Sequence, residues 1–185
     1  MKKDLVILFS GGADSRLMIE MAKDIGKNPH CILIDYGQKH VQELEFAKKQ
    51  LDEFDNASYQ VVKLDGLNID SGLTGDKVPD TYKGVHSMHV PSRNLMFIGI
   101  AASIAENMGI GMIWYGPDWS DFVNEFPDCK QEWVGRVNKV LEINGPTPIR
   151  LEAPLLGLSK ETILSMLERK YNVTKDQLFS GYGDD

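Results

Sequence analysis

Near the start of the chain stands Ser10-Gly-Gly-Ala-Asp14-Ser15, directly after the apolar run Asp4-Leu-Val-Ile-Leu-Phe9. Two hydroxyls, a carboxylate and the adjacent Gly11 and Gly12 within six residues suit the binding of an anion. Paired glycines let the backbone turn sharply and approach a ligand closely. Behind them, Leu17, Met18, Met21, Ala22 and Ile25 have the spacing of one helix face, so the stretch reads as strand, tight turn and helix start. The first amides of a helix lack intrahelical partners, and the helix dipole favours negative charge beside them. Ser10 and Ser15 add hydroxyl donors, and Asp14 is expected to cap the helix or to face a metal carried by the anion. The plain alternative is a strand-to-helix turn with a serine–aspartate cap. The position of the glycines, after an apolar strand and before an amphipathic helix, favours the anion.

Three further polar clusters carry chemistry-bearing side chains. In Asp35-Tyr-Gly-Gln38-Lys-His40, a carboxylate follows an apolar run, where it suits a ribose hydroxyl or an adenine amino group. His40 is suited to hydrogen bonding or proton transfer near neutral pH. In Val90-Pro-Ser-Arg93-Asn94, the proline sets a helix entry and Arg93 brings a planar fork suited to phosphate. A cation at a helix start opposes the dipole, so this placement favours an anionic partner over a bare surface arginine. In Gly116-Pro-Asp118-Trp-Ser-Asp121 and Phe126-Pro-Asp128-Cys-Lys130, the three aspartates can serve magnesium or a base edge. Asp128 reads equally as a helix cap behind Pro127, and Trp133 as a core residue. Lys160 can meet phosphate or stand solvated.

The elements that must position these clusters alternate along the chain. Strands are expected over 4–9, 30–35, 59–64, 112–115 and 149–152. Helices are expected after residue 12, over 38–55 (with Val41, Leu44, Phe46, Ala47 and Leu51 inward), 92–108 and 128–143, and from a Ser159 cap through Arg169. In the helix over 128–143, Trp133, Val137, Val140 and Leu141 are expected to face inward. Such alternation implies an α/β fold: one doubly wound domain over 1–185, its parallel sheet of about five strands covered on both faces. Residues 65–90 have no useful period and read as an inserted lid-like loop. Ligands in such sheets sit beyond the carboxyl ends of the strands, near the switch in strand order. Residues 10–15, 35–40, the lid and 116–121 should therefore meet in one crevice.

Composition narrows the function classes. A net charge of −7 argues against a general grip on nucleic acid, which needs a basic footprint. No apolar run reaches membrane-spanning length, and Met1-Lys-Lys leads into a strand, so a cytoplasmic protein without a membrane role is expected. Cys31 and Cys129 offer neither zinc spacing nor a disulfide framework.

The first loop has no lysine of the Walker type and no Gly-x-Gly-x-x-Gly fingerprint. Ser-Gly-Gly-x-Asp-Ser instead resembles the loop of the ATP pyrophosphatase (PP-loop) superfamily, with Arg16 where a small residue is usual. Together with Asp-Tyr-Gly-Gln-x-His, Val-Pro-x-Arg-Asn and Pro-Asp-Cys, in this order and spacing, it resembles the 7-cyano-7-deazaguanine synthase (QueC) family from about Asp4 to Lys160. The resemblance implies an adenine nucleotide alpha hydrolase-like fold and an ATP-dependent ligase in deazaguanine biosynthesis. Its substrates would be ATP with Mg2+, 7-carboxy-7-deazaguanine and ammonia. Ser10, Gly11, Gly12, Asp14 and Ser15 would hold pyrophosphate, with Asp35, Gln38 and His40 lining the nucleotide pocket. Asp14, Ser15, Arg93 and Lys160 would serve catalysis, and Arg93, Asn94, Asp118, Asp121 and Asp128 the deazaguanine.

The chain departs from the family in several places. The loop before Phe126 holds one residue more than usual, and Lys130 stands for arginine. The family ends in a zinc-binding cysteine cluster, and here Phe179-Ser-Gly181-Tyr182 resembles its start with Gly181 in place of the first cysteine. Residues 171–185 therefore read as a truncated tail with no zinc, its part taken by a homodimer contact, a partner chain or nothing. Transfer of the activated acid to a protein amine and a non-catalytic nucleotide-binding subunit are the alternatives. A tRNA-thiolating enzyme is disfavoured, because paired catalytic cysteines and a basic face are lacking.

Overall fold

A computed structural model of the chain describes residues 1–37, 42–65, 92–119 and 126–178. The strands β1 (Leu5–Leu8), β2 (Pro29–Asp35), β3 (Ser58–Lys63), β4 (Met112–Trp114) and β5 (Arg150–Glu152) form one sheet in the order β3-β2-β1-β4-β5. Every neighbouring pair is parallel. The chain winds outward from β1 to β3, returns to the far side of β1 as β4, and winds outward again to β5. The strand order therefore switches between β1 and β4, where such sheets open a crevice for ligands.

Among the described residues, five helices cover the sheet: α1 (Ala13–Asp24), α2 (Gln42–Leu51), α3 (Arg93–Met108), α4 (Gln131–Asn144) and α5 (Lys160–Tyr171). Alternate side chains of β1 serve opposite faces, as the strand period requires. Leu5 and Ile7 join a core with Leu17 and Met18 of α1, Ala47 and Leu51 of α2, and Ile163 and Leu167 of α5. Val6 joins a second core with Ile98 and Ala102 of α3 and Val134 and Leu141 of α4. The expected α/β sandwich is thus present, with α1, α2 and α5 on one face and α3 and α4 on the other.

Local chemistry sets the helix ends. Gly109 (φ +66°) closes α3, its N–H and that of Ile110 donating to Glu106 and Ala105 carbonyls. Ser159 caps α5, its hydroxyl accepting from Thr162 N–H at 3.2 Å. α1 and α5 lie side by side and run the same way. Asp14 meets Lys160 at their N-terminal ends, and Asp24 meets Lys170 and Tyr171 at their C-terminal ends. Both N-termini therefore open on the same rim of the sheet.

Some expectations need correction. Ile25 is the residue after α1 and is 60% exposed, so it leaves the inward stripe where the helix stops. Val140 is 59% exposed: α4 buries Val134, Val137 and Leu141, and Val140 lies off that face. The helix expected from Asp128 starts at Gln131, because Pro127–Cys129 first makes a 3-10 turn and Lys130 is extended. α2 stops at Leu51, well before Asp55. Beyond α5, Val173 is buried, and Leu178 packs against the cluster around α1 and α5. The lid expected over 65–90 falls, but for its first residue, outside the described residues.

Candidate functional site

The turn after β1 places its amides at the strand-order switch. Gly11 has φ +88°, and a Cβ there would lie 3.0 Å from Ala47 Cβ and 3.1 Å from its Cα. Only glycine fits, for backbone and packing reasons at once. Gly12 is the N-cap of α1 and gives it no side-chain cap. The Ser15 hydroxyl, buried below the turn, accepts from Gly11 N–H at 3.0 Å and donates to Gly12 C=O at 3.0 Å. Gly12 N–H reaches Ser10 Oγ at 3.4 Å. Arg16 N–H is the first to donate back into the turn, to Gly12 C=O. The Ala13 and Ser15 amides are left without a protein acceptor among the described residues, and Asp14 N–H faces only its own carboxylate.

Asp14 is therefore not the helix cap. Its carboxylate holds Lys160 Nζ at 2.8 and 2.7 Å, and the same ammonium lies 3.2 Å from Asp118 Oδ2. Lys160 is thus ion-paired rather than merely solvated, although its side chain is 46% exposed. Asp118 is 1% exposed, and the Lys160 ammonium offsets its buried charge. Burial works to lower the Lys160 ammonium, but Asp14 and Asp118 outweigh it and hold it above the usual lysine range. Burial also pushes the Asp14 carboxyl up, with Lys160 pulling the other way.

Two backbone features bring these distant residues together. Trp119 N–H donates to Leu158 C=O at 2.9 Å, which ties the segment after β4 to the turn before α5. Gly116 lies so close to α1 that a Cβ would come within 2.9 Å of Met18 Cε and 3.5 Å of Asp14 Cβ. A strand end followed by glycine was the only local hint of this approach. The direct Asp118–Lys160 pairing had no local signal at all.

The other expected residues divide. Arg93 opens α3 at the same rim, half-buried, with no hydrogen bond or ion pair among the described residues. Ser92 before it has φ +53°, a left-handed conformation uncommon for serine. Asn94 is also half-buried. Asp35 ends β2, and its carboxylate accepts from Gly37 N–H at 3.4 Å. Asp128 is neither a cap of α4 nor a member of the Asp14–Lys160–Asp118 group. Its carbonyl accepts from buried Tyr115 OH at 2.9 Å, and Cys129 Sγ lies 3.8 Å from its carboxylate. Trp133 is half-buried, 6.1 Å from the Tyr115 ring. Gln38, His40 and Asp121 lie outside the described residues. Arg16 points away from the crevice, bound to Glu20 at 2.9 Å and Glu53 at 2.8 Å and stacked 5.0 Å from the Phe54 ring.

The donor set can be matched to metals. Asp14 and Asp118 present hard carboxylate oxygens to one cation, a chemistry that fits magnesium carried on a triphosphate. Zinc does not fit. Among the described residues no group of three or more His, Cys, Asp or Glu stands together for a metal. Cys31 and Cys129 are both buried, and burial pushes the Cys31 thiol far up, away from the thiolate that zinc needs. Among the described residues no helix is long and apolar enough to cross a membrane.

A family model described as queuosine biosynthesis protein QueC matches residues 4–185. The 7-cyano-7-deazaguanine synthase of Polynucleobacter asymbioticus is 31% identical over 176 residues, covering 87% of this chain and 71% of that protein. The enzyme of that name from Prochlorococcus marinus is also 31% identical, covering 99% of this chain and 86% of that protein. Among solved structures, the U34-tRNA thiolase NcsA from Methanococcus maripaludis superposes with a TM-score of 0.60 at 18% identity, covering 100% of this chain and 62% of that one. That likeness shows a shared fold.

Proposed function

The chain belongs to the QueC family, and from that premise we propose that it is an ATP-dependent carbon–nitrogen ligase acting on 7-carboxy-7-deazaguanine. The observation that carries this reading is the uncapped N-terminus of α1 at the strand-order switch. Its amides face the same rim as Lys160. Hydrogen-bond donors, a helix dipole and a lysine gathered at one point suit a departing pyrophosphate.

In this reading a carboxylate oxygen of the acid attacks the α-phosphorus of ATP. The bond from that phosphorus to the bridging oxygen breaks, and pyrophosphate leaves with the electron pair. Ammonia adds to the acyl carbon, loses a proton, and AMP departs to leave the amide. A second ATP activates the amide oxygen in the same way, and loss of AMP together with both amide protons gives the nitrile. Magnesium, when bound on the triphosphate, neutralises its charge.

The chain's own residues position and neutralise. Ser10, Gly11, Gly12, Asp14 and Ser15 hold the pyrophosphate, the last by bracing the turn from beneath through its hydroxyl. Lys160 and Arg93 neutralise phosphate charge. Asp35, with Gln38 and His40, lines the nucleoside pocket. Asn94, Asp121 and Asp128 serve the deazaguanine side, where Asp128 is fixed through Tyr115, and Asp118 stands with Asp14 on the metal side.

The test is ATP–pyrophosphate exchange with and without 7-carboxy-7-deazaguanine, followed by mass spectrometry of the products with ammonia. Acid-dependent exchange and a nitrile product are expected. ATP binding without exchange would replace the reading with that of a non-catalytic nucleotide-binding subunit. Exchange without amide or nitrile would point to another acceptor, such as a protein amine.

A further inference from the structure

Lys160 is held by two carboxylates, yet nearly half of its side chain reaches solvent. Its Nζ lies 2.7 and 2.8 Å from the Asp14 oxygens and 3.2 Å from Asp118 Oδ2, with its side chain 46% exposed. The three side chains together carry one net negative charge. A triphosphate arriving alone would meet two carboxylates and a lysine already engaged. A divalent cation arriving alone would have to expel that lysine into water. Only the two together supply every group with a partner: metal to the carboxylates, phosphate to the ammonium.

We propose that Lys160 is an exchangeable counter-ion, holding the Asp14–Asp118 carboxylate pair closed against free metal and moving to phosphate when a metal–triphosphate complex enters. The four-carbon stem allows that movement, and a compact ammonium serves a carboxylate or a phosphate oxygen equally well. The backbone bond from Trp119 to Leu158 keeps Asp118 beside the start of α5, so the exchange needs only a side-chain swing. By linkage, nucleotide and metal must then raise each other's affinity by the same factor. The proposal rests on the reading that a triphosphate uses this loop, but its first test involves no nucleotide, so the two can fail separately.

The probe is Mn2+ alone, followed by electron paramagnetic resonance on the full chain without nucleotide. Lys160→Met should bind Mn2+ at least about tenfold more tightly than the wild type, the scale on which one neighbouring charge shifts an ionic equilibrium. Lys160→Arg, which keeps a cation, should stay within about twofold of the wild type, and Asp118→Asn in the Lys160→Met background should abolish the gain. Equal Mn2+ binding by wild type and Lys160→Met would overturn the proposal.

A second measurement covers the case in which Lys160→Met does not fold. The Lys160 Nζ resonance of the wild type, assigned through its loss in Lys160→Arg, should ignore Mg2+ alone and shift with Mg2+ plus α,β-methylene-ATP. A shift with Mg2+ alone, or none with both, would equally overturn it.

Discussion

α1 and α5 are a matched pair with opposite ends. Both are 12 residues long, run parallel, and open on one rim of the sheet. α5 begins at Ser159, whose hydroxyl and carbonyl take the N–H groups of Thr162 and Ile163. α1 begins at Gly12, which has no side chain to offer, and its first amides keep their hydrogen-bonding capacity. One helix has closed its N-terminus and contributes a side chain, Lys160. Its neighbour has left its N-terminus open and contributes backbone. Position on a favourable rim does not by itself make an anion site; the residue at the cap decides whether the amides remain available.

The sharpest break of this comparison is Asp14→Ala. It removes the α1 partner of Lys160 while Asp118 still holds the ammonium, so the buried Asp118 charge keeps its counter-ion and the fold should survive. Pyrophosphate exchange should fall by about a thousandfold, the scale for loss of a charge-organising group at a reacting centre. Normal turnover by a folded variant would remove the loop from the mechanism.

Gly11→Ala tests the support beneath the open end. The new methyl would meet Ala47 in a left-handed backbone conformation, and the variant should lose about 1–3 kcal/mol of stability, read by chemical denaturation. Unchanged stability would show that α2 does not buttress the turn.

Gly12→Ser is a finer instrument, because it gives α1 the cap that α5 already has. Gly12 has φ −74°, and a Cβ there meets only Ser10 Oγ at 3.6 Å, so the residue fits. The new hydroxyl competes for the amides that phosphate needs. KM for ATP should rise about fivefold, equivalent to roughly 1 kcal/mol for one hydrogen bond. The melting temperature should hold or rise slightly. A KM left unchanged would mean that the amides are not the anion's donors.

How much of this was readable in advance depends on distance along the chain. The glycine turn, the five strands and the Ser159 cap rest on neighbours within a few residues, and local pattern found them. The alternating order of elements also predicted that the segment after β4 would meet the turn after β1, as Gly116 and Asp118 do, whereas Gln38, His40 and nearly all of the expected lid lie outside the described residues. That order did not predict which side chains would touch: Asp14 and Lys160 are separated by 146 positions, and only the sheet order joins them. Arg16 was conspicuous as a large residue beside the turn, but its burial against Glu20, Glu53 and Phe54 depends on where α2 ends. Ile25 and Val140 were misplaced because a helical stripe is periodic while its cover is finite. α1 ends before Ile25, and the core-facing stripe of α4 does not include Val140. Asp128 was misread as a helix start because Pro127 favours a first turn, and that turn closes as 3-10 before the chain re-extends at Lys130.

The smallest effect belongs to the closed end of the pair. Ser159→Ala removes the hydroxyl that accepts from Thr162 N–H and leaves that amide to water, since the site is solvent-exposed. The cost should be about 1 kcal/mol of stability, as for other serine caps. Lys160 follows Ser159 directly, so a frayed first turn also loosens the ammonium, and KM for ATP should rise by no more than about twofold while the melting temperature falls. The opposite split is expected of Gly12→Ser, where binding weakens and stability holds. Ser159→Ala and Gly12→Ser thus form a crossed pair, each perturbing mainly what the other spares. If Ser159→Ala instead impaired ATP binding as strongly as Gly12→Ser, the amides of α5 would have to be counted among the anion's donors, and the division of labour between the two helices would fail.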